Sequence, residues 1–445
     1  MLSAESVGFF YEYKITEKVV KFVEKFVIHG GNKLHGNISI SGAKNAALAI
    51  IPAALFSGSI CRIENVPEIS DVNTMVKILK SLGAVVTIPE KNVLVIDSTN
   101  VKPITIPDEM TRKLRASYYL LGVLLGNFGR AAVAMPGGCY FGVRPIDQHI
   151  KGFEALGAKV NTDSAIVKAE SNGNLYGSSV YFDVVSVGAT INVMLASVKA
   201  TGLTIIENAA REPHIVDLAN FLNSMGADVR GAGTEVIKIR GVKEMHGCTY
   251  SIIPDQIEAG TYMAAVAACG GDVTIDNVIP KHLESITNKL EDCGVTVIEG
   301  DENVRIISDG TGVKPCRVKT SPHPGFPTDM QPQFATLLCT CKGKSTVVED
   351  VWDNRFKYID QLRRMGADIL VNGDTAVISG IYKLRAAPVE ADDLRAGAAM
   401  VIAGLMAEGT TTVGNIKLID RGYENLVEKL SAVGAEISRK EFEEE

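Results

Sequence analysis

One short pattern recurs along the chain and limits what it can fold into. A helical run of apolar residues ends in a glycine and passes into a strand, first as Ile78-Leu79-Lys80-Ser81-Leu82-Gly83-Ala84-Val85-Val86. Glycine is the residue that closes a helix through a left-handed turn. The arrangement returns at Gly157, Gly226, Gly294, Gly366 and Gly434, at separations of 74, 69, 68, 72 and 68 residues. Spacing that regular marks six copies of one unit. Upstream of most copies lies a second echo, an apolar strand ending in an acidic residue or Asn: Ile63-Glu64-Asn65, Ile206-Glu207-Asn208, Ile275-Asp276-Asn277, Val348-Glu349-Asp350 and Val413-Gly414-Asn415. In the second copy Val133-Ala134-Met135 stands there and leads into Pro136-Gly137-Gly138-Cys139-Tyr140-Phe141-Gly142-Val143-Arg144-Pro145.

Each unit therefore reads as strand, loop, helix, glycine turn and strand, an α/β unit. A chain of 445 residues exceeds what one hydrophobic core usually supports, so two domains of about 200 residues, three units each, are expected. Ala46 to Leu55, Ala259 to Ala268 and Ala396 to Met406 are apolar on nearly every face. Such helices belong inside a domain, with sheets wrapped around them, and not on the outside of a doubly wound sheet. Residues 1–25 read as an amphipathic or unstructured lead outside the fold, in which Val19, Val20, Phe22 and Val23 alternate with Lys18, Lys21, Glu24 and Lys25.

Composition removes several function classes. With 46% hydrophobic and 22% charged residues the chain is that of a globular protein. A net charge of −7 leaves no basic footprint for nucleic acid, so an anionic ligand has to be held by local Arg and Lys. The eight cysteines show no disulfide-framework or metal-ligand spacing and no signal peptide precedes them, which points to a reducing cytoplasm with free thiols and no metal. No apolar run approaches the ~18 residues of a membrane span.

Four stretches could carry chemistry. Ser41-Gly42-Ala43-Lys44-Asn45 places a lysine and free backbone N–H groups at the start of an apolar helix, which fits an anion site as well as an ordinary helix start. Arg115, Arg144, Arg355, Arg395 and Arg421 each follow a turn or strand signal. Singly they read as surface ion pairs, but together in one cleft they would grip phosphate and carboxylate. Pro322-His323-Pro324-Gly325-Phe326-Pro327-Thr328-Asp329-Met330 is a stiff loop delivering Asp329 just before an apolar helix, as an N-cap or a general base. The stretch from Pro136 to Pro145 sets one thiol and one cation on a glycine-rich loop, and a thiol beside Arg144 should have a lowered pKa.

Ser41 to Asn45, the Cys139 loop, Phe326-Pro327-Thr328-Asp329-Met330 and Asp393-Leu394-Arg395, in order and in register over about residues 27–440, closely resemble the UDP-N-acetylglucosamine enolpyruvyl transferase family of bacterial cell-wall synthesis. The resemblance implies a two-domain inside-out α/β barrel of six βαβαββ repeats, three per domain. Residues 44–253 would form one domain and 26–43 plus 254–445 the other, with the active site in the cleft between them. It also implies transfer of the enolpyruvyl group of phosphoenolpyruvate to the 3′-hydroxyl of UDP-N-acetylglucosamine, phosphate release, no cofactor and no metal, and sensitivity to fosfomycin. By the same resemblance Cys139 is the loop acid and adduct-forming thiol and Asp329 the base, with Asp393 also in the catalytic set. Lys44, Asn45, Arg144, Arg355, Arg395 and Arg421 would bind phosphoenolpyruvate. Asn45, Arg115, Arg144, Pro145, Ile146, Asp147, Gln148, Ser186, Val187, Gly188, Asp329 and Val351 would bind the sugar nucleotide. Val184 departs from family members that carry a lysine near the nucleotide phosphates, and Trp352 stands where Phe is familiar. The related shikimate-pathway transferases lack the cysteine loop.

Overall fold

The computed structural model describes residues 22–102, 106, 108–111, 114–134, 146–162 and 166–443. Each of the six repeat glycines has a positive φ, from 81° at Gly294 to 99° at Gly83. The turns they make are hydrogen-bonded as the sequence requires. Gly83 N donates to Lys80 O and Ala84 N to Leu79 O, and the pair recurs at Gly226, Gly294, Gly366 and Gly434. The strand echo has an equally local cause. Asn65, Asn208, Asn277 and Asn415 all adopt left-handed backbone at the ends of strands, a conformation Asn tolerates better than other side-chain-bearing residues.

Five four-stranded sheets share one topology. Thr249–Ser251 runs parallel to Ile60–Glu64, which pairs antiparallel with Leu94–Asp97, which pairs antiparallel with Val85–Thr87. The same order of one parallel and two antiparallel pairings is built on Leu203–Glu207, Gly271–Asp276, Lys344–Val348 and Thr410–Gly414. The sixth sheet, around Ile166–Ser171, has three antiparallel strands among the described residues.

The expectation that residues 1–25 lie outside the fold is corrected at its end. Phe22–His29 is a strand, the third of the sheet built on Thr410–Gly414, and it pairs along its whole length with Glu436–Glu443. The outward charge of Glu24 is neutralised in place by Arg439, which also bonds Asp420.

The wholly apolar helices are internal. Lys44–Ala53 is buried at every position but Asn45, Leu394–Met406 at every position but Leu394, and Gln256–Cys269 from Ile257 to Ala267. Helices with a polar face lie outside: Pro280–Asp292 buries only Leu283, Ile286, Thr287 and Leu290, one stripe at helical spacing. Buried residues fall into two clusters, one drawn from 43 to 252 and the other from 26 to 40 together with 257 to 437. Two chain segments cross between them as a ribbon, in which Ala43 N donates to Ile253 O (2.7 Å) and Asp255 N to Ser41 O (2.9 Å).

Candidate functional site

The first turn of the Lys44–Ala53 helix lies beside that ribbon. Ala43, its N-cap, makes no side-chain cap bond. The cap comes from across the crossing, where Asp255 Oδ2 accepts from Lys44 N at 3.0 Å while its Oδ1 caps the Gln256–Cys269 helix through Ile257 N and Glu258 N. One buried carboxylate thus locks two helix starts together. The Lys44 side chain, only 10% exposed, reaches Asp71 with Nζ at 2.8 Å from Oδ2. Arg421 meets the same carboxylate, Nε to Oδ1 at 2.9 Å and Nη2 to Oδ2 at 3.3 Å.

A second group of charges adjoins the first. Arg395 is 4% exposed and donates from Nε to Asp329 Oδ2 at 3.1 Å. Arg355, also buried, has Nη2 3.7 Å from Asp329 Oδ1 and Nη1 3.9 Å from Asp393 Oδ2. Asp393 Oδ1 caps the Leu394–Met406 helix by accepting from Arg395 N (2.7 Å) and Ala396 N (3.0 Å). The Arg395 guanidinium lies over the Tyr423 ring, 5.5 Å from its centroid. Burial lowers the pKa of Lys44, Asp71 opposes that, and Arg395 and Arg421 add to it, so the three cations share one electrostatic neighbourhood. For Asp71, burial alone would raise the carboxyl, but the attraction of Lys44 and Arg421 outweighs it and the pKa lies below the usual value.

These contacts decide between readings that the sequence left open. Asp329 lies in the short turn Thr328–Met330 and is not the cap of the following helix, whose N-cap is Met330 without a side-chain bond; its carboxylate faces two arginines instead. Lys44, Asp329, Arg355, Asp393, Arg395 and Arg421 converge. Asn45 lines a neighbouring cavity with His214, Asp255, Gln256 and His282. Burial brings the His214 imidazole down to about 4, against the smaller pull of Asp255 and Asp329.

Ile146, Asp147 and Gln148 form the start of one helix, Asp147–Ala155, and Ser186, Val187 and Gly188 the start of another, Val187–Ser197. The two starts are adjacent because Gly188 has no side chain: a Cβ there would stand 2.8 Å from His149 Nε2. Ser186 Oγ caps its helix by accepting from Ala189 N, and Gln148 holds Asp183 through both its amide N and its amide O. The field of Arg115 reaches His149, which burial holds at about 4. Val184 is 59% exposed in the same loop. Cys139, Arg144 and Pro145 lie outside the described residues.

Three acidic residues escape the sequence reading. Asp71 and Asp255 look like ordinary helix-start acids until their partners, 350 and 211 residues away, are known. Glu349 appears in the sequence only as one of the strand-end echoes. In the structure its buried carboxylate accepts from Thr320 Oγ1, Val351 N and Trp352 N on one oxygen and from Thr328 Oγ1 on the other. It therefore ties the turn carrying Asp329 to Val351.

The family model for EPSP synthase (3-phosphoshikimate 1-carboxyvinyltransferase) matches residues 28–430. A UDP-N-acetylglucosamine 1-carboxyvinyltransferase of Clostridium botulinum is 57% identical over 420 residues, covering 94% of this chain and 100% of that protein. One from Caldanaerobacter subterraneus subsp. tengcongensis is 54% identical over 417 residues, 94% of this chain and 99% of that protein. Among solved structures, the enolpyruvyl transferase NikO from Streptomyces tendae shares the fold at a TM-score of 0.85 and 24% identity, over 95% of this chain and 100% of that one. EPSP synthase from Acinetobacter baumannii does so at 0.73 and 19%, over 94% and 100%. With more than half its residues identical to relatives matched over nearly their whole length, the chain belongs to the enolpyruvyl transferase family, among the UDP-N-acetylglucosamine 1-carboxyvinyltransferases.

Proposed function

We propose that the chain transfers the enolpyruvyl group of phosphoenolpyruvate to the 3′-hydroxyl of UDP-N-acetylglucosamine, with release of phosphate, in the cytoplasm as the first committed step of peptidoglycan precursor synthesis. The observation that carries the reading is the carboxylate of Asp329 set against Arg395, whose buried Nη1 meets no acceptor among the described residues. A buried guanidinium nitrogen without an acceptor is costly, and an anionic ligand supplies one. The cations Lys44, Arg355 and Arg421 surround that position. The name its relatives carry, UDP-N-acetylglucosamine 1-carboxyvinyltransferase, specifies a transferred group that bears a carboxylate and an acceptor that bears a diphosphate.

In the addition step Asp329 accepts the proton of the sugar hydroxyl as its oxygen bonds to C2 of the enol, and an acid delivers a proton to C3. Cys139 and Arg144, on the loop from Pro136 to Pro145, are assigned to that acid and to the phosphate. In the elimination step the C2–O bond to phosphate breaks, and the proton lost from C3 restores the double bond. Arg355 and Arg395 hold the carboxylate, while Lys44 and Arg421 receive the charge of the leaving phosphate. Asp393, which caps the helix of Arg395 and stands 3.9 Å from Arg355 Nη1, is assigned to the catalytic set beside them. Asn45, Arg115 and the paired helix starts at Ile146 to Gln148 and Ser186 to Gly188 are assigned to the sugar nucleotide, with Val351 and Asp329 at the sugar. The architecture is read as an inside-out barrel of six βαβαββ repeats in two domains, 44–253 and 26–43 plus 254–445. The two buried clusters and the shared sheet topology support that division.

The test is phosphate release and product mass with phosphoenolpyruvate and each acceptor in turn. Release that depends on UDP-N-acetylglucosamine is expected; release that depends on shikimate 3-phosphate would overturn the acceptor.

A further inference from the structure

Asp71 draws on two independent features of the fold. It lies in the first turn of the Ser70–Ser81 helix, 4% exposed, with its whole carboxylate engaged by Lys44 and Arg421. The pairing is fixed by backbone, because Ser70 N donates to Asp420 O at 3.1 Å and the next residue on each segment makes the ion pair. Asn92, in a separate loop that bonds Val66 through its own backbone and side chain, donates from Nδ2 to Glu424 Oε1 at 3.0 Å, so the turn carrying Arg421 is also held to a second neighbouring segment. Lys44 is fixed as well. A Cβ at Gly422 would stand 3.1 Å from the Lys44 Cδ, so the lysine stem runs over the bare backbone of the turn that carries Arg421.

We infer that Asp71 is a positioning residue that acts as an internal counter-anion, holding Lys44 and Arg421 in the geometry that receives a phosphate dianion while weakening their grip on it enough for phosphate to leave. The phosphate identity rests on the function proposed above; the charge argument does not. Two cations facing a dianion with no carboxylate between them would bind it strongly, and a site that must release inorganic phosphate every turnover gains nothing from that. A fixed carboxylate 2.8 Å from one cation and 2.9 Å from the other cancels half of their charge. It also supplies the acceptor they return to when phosphate departs. Differential binding of this kind lowers affinity for product without disturbing where the cations point.

The full chain is titrated calorimetrically with inorganic phosphate and, separately, with phosphoenolpyruvate, as wild type, Asp71→Asn and Asp71→Glu, with thermal unfolding of each. Asp71→Asn is expected to bind inorganic phosphate roughly tenfold more tightly. Phosphoenolpyruvate should tighten with it, kcat should fall and product inhibition by phosphate should rise, while Asp71→Glu returns all of these toward wild type. If Asp71→Asn does not fold, Asp71→Ser replaces it with the same expectations. Unchanged or weaker phosphate binding in a folded neutral variant overturns the inference, and so does tightening for phosphoenolpyruvate alone, which would assign Asp71 to the carboxylate end. If turnover proves to need another acceptor, the function above fails while the phosphate titration still judges Asp71.

Discussion

Glu349 shows how one side chain sets the geometry of a site it does not enter. Its four donors come from three segments: Thr320 at the end of the Arg317–Lys319 strand, Thr328 in the turn of Asp329, and the backbone of Val351 and Trp352. Charge-assisted bonds to a buried carboxylate are stronger than neutral ones, and removing the acceptor strands donors that water cannot reach. Glu349→Ala should therefore cost about 3 kcal/mol in urea unfolding, with a larger loss in kcat than the same cost placed in the core would bring. Glu349→Gln, which keeps an acceptor, should lose clearly less of both. Equal effects from the two variants would mean that the residue only fills space.

At the scale of elements, the crossing ribbon depends on Gly42. A Cβ there would fall 1.7 Å from Asn65 O, and Asn65 is itself held by its Nδ2 bond to Ile252 O at 2.8 Å. Backbone cannot yield as a flexible side chain does, so Gly42→Ala should cost about 3 kcal/mol. Gly366 offers the contrast, with φ +91° and no atom within 4 Å of an added Cβ; Gly366→Ala should cost about 1 kcal/mol, by conformation alone. Denaturation midpoints of the two variants test the order, and a reversal would place the strain in the turn and not in the ribbon. The same contrast explains what could be read from sequence. A left-handed turn is a local demand that writes glycine at a fixed place, so the six glycine turns and the wholly apolar inner helices are legible. The strand Phe22–His29 was not, because its partners lie at the far end of the chain and Glu24 and Lys25 among its first residues look like a solvated lead. Lys44, Asp329 and the arginines stood out by type and setting. Asp71, Asp255 and Glu349 are single acids whose meaning lies entirely in distant partners.

For the whole molecule, the strongest consequence is a dependence of stability on pH at the crossing between the two buried clusters. Asp217, 2% exposed on the helix Pro213–Ser224, accepts from Tyr250 Oη at 2.5 Å and from Ile253 N at 3.3 Å, so it joins that helix to an edge strand and to the ribbon. Burial pushes its carboxyl up to about 6, against the smaller opposing effect of those two donors. Below about pH 4 folded and unfolded chains both hold the proton. As pH rises from there toward 6 the unfolded chain releases it first, so folding stability falls, and above that the loss is complete at up to about 3 kcal/mol. Asp217→Asn keeps an acceptor at the site and cannot titrate. The stability of wild type minus that of Asp217→Asn, from urea unfolding at a series of pH values, should therefore decline by up to about 3 kcal/mol between pH 4 and pH 7 and be level above it. A flat difference would show that water reaches the carboxylate in the folded state. A rising one would show that Tyr250 and Ile253 stabilise the anion by more than burial penalises it, reversing the balance at the crossing.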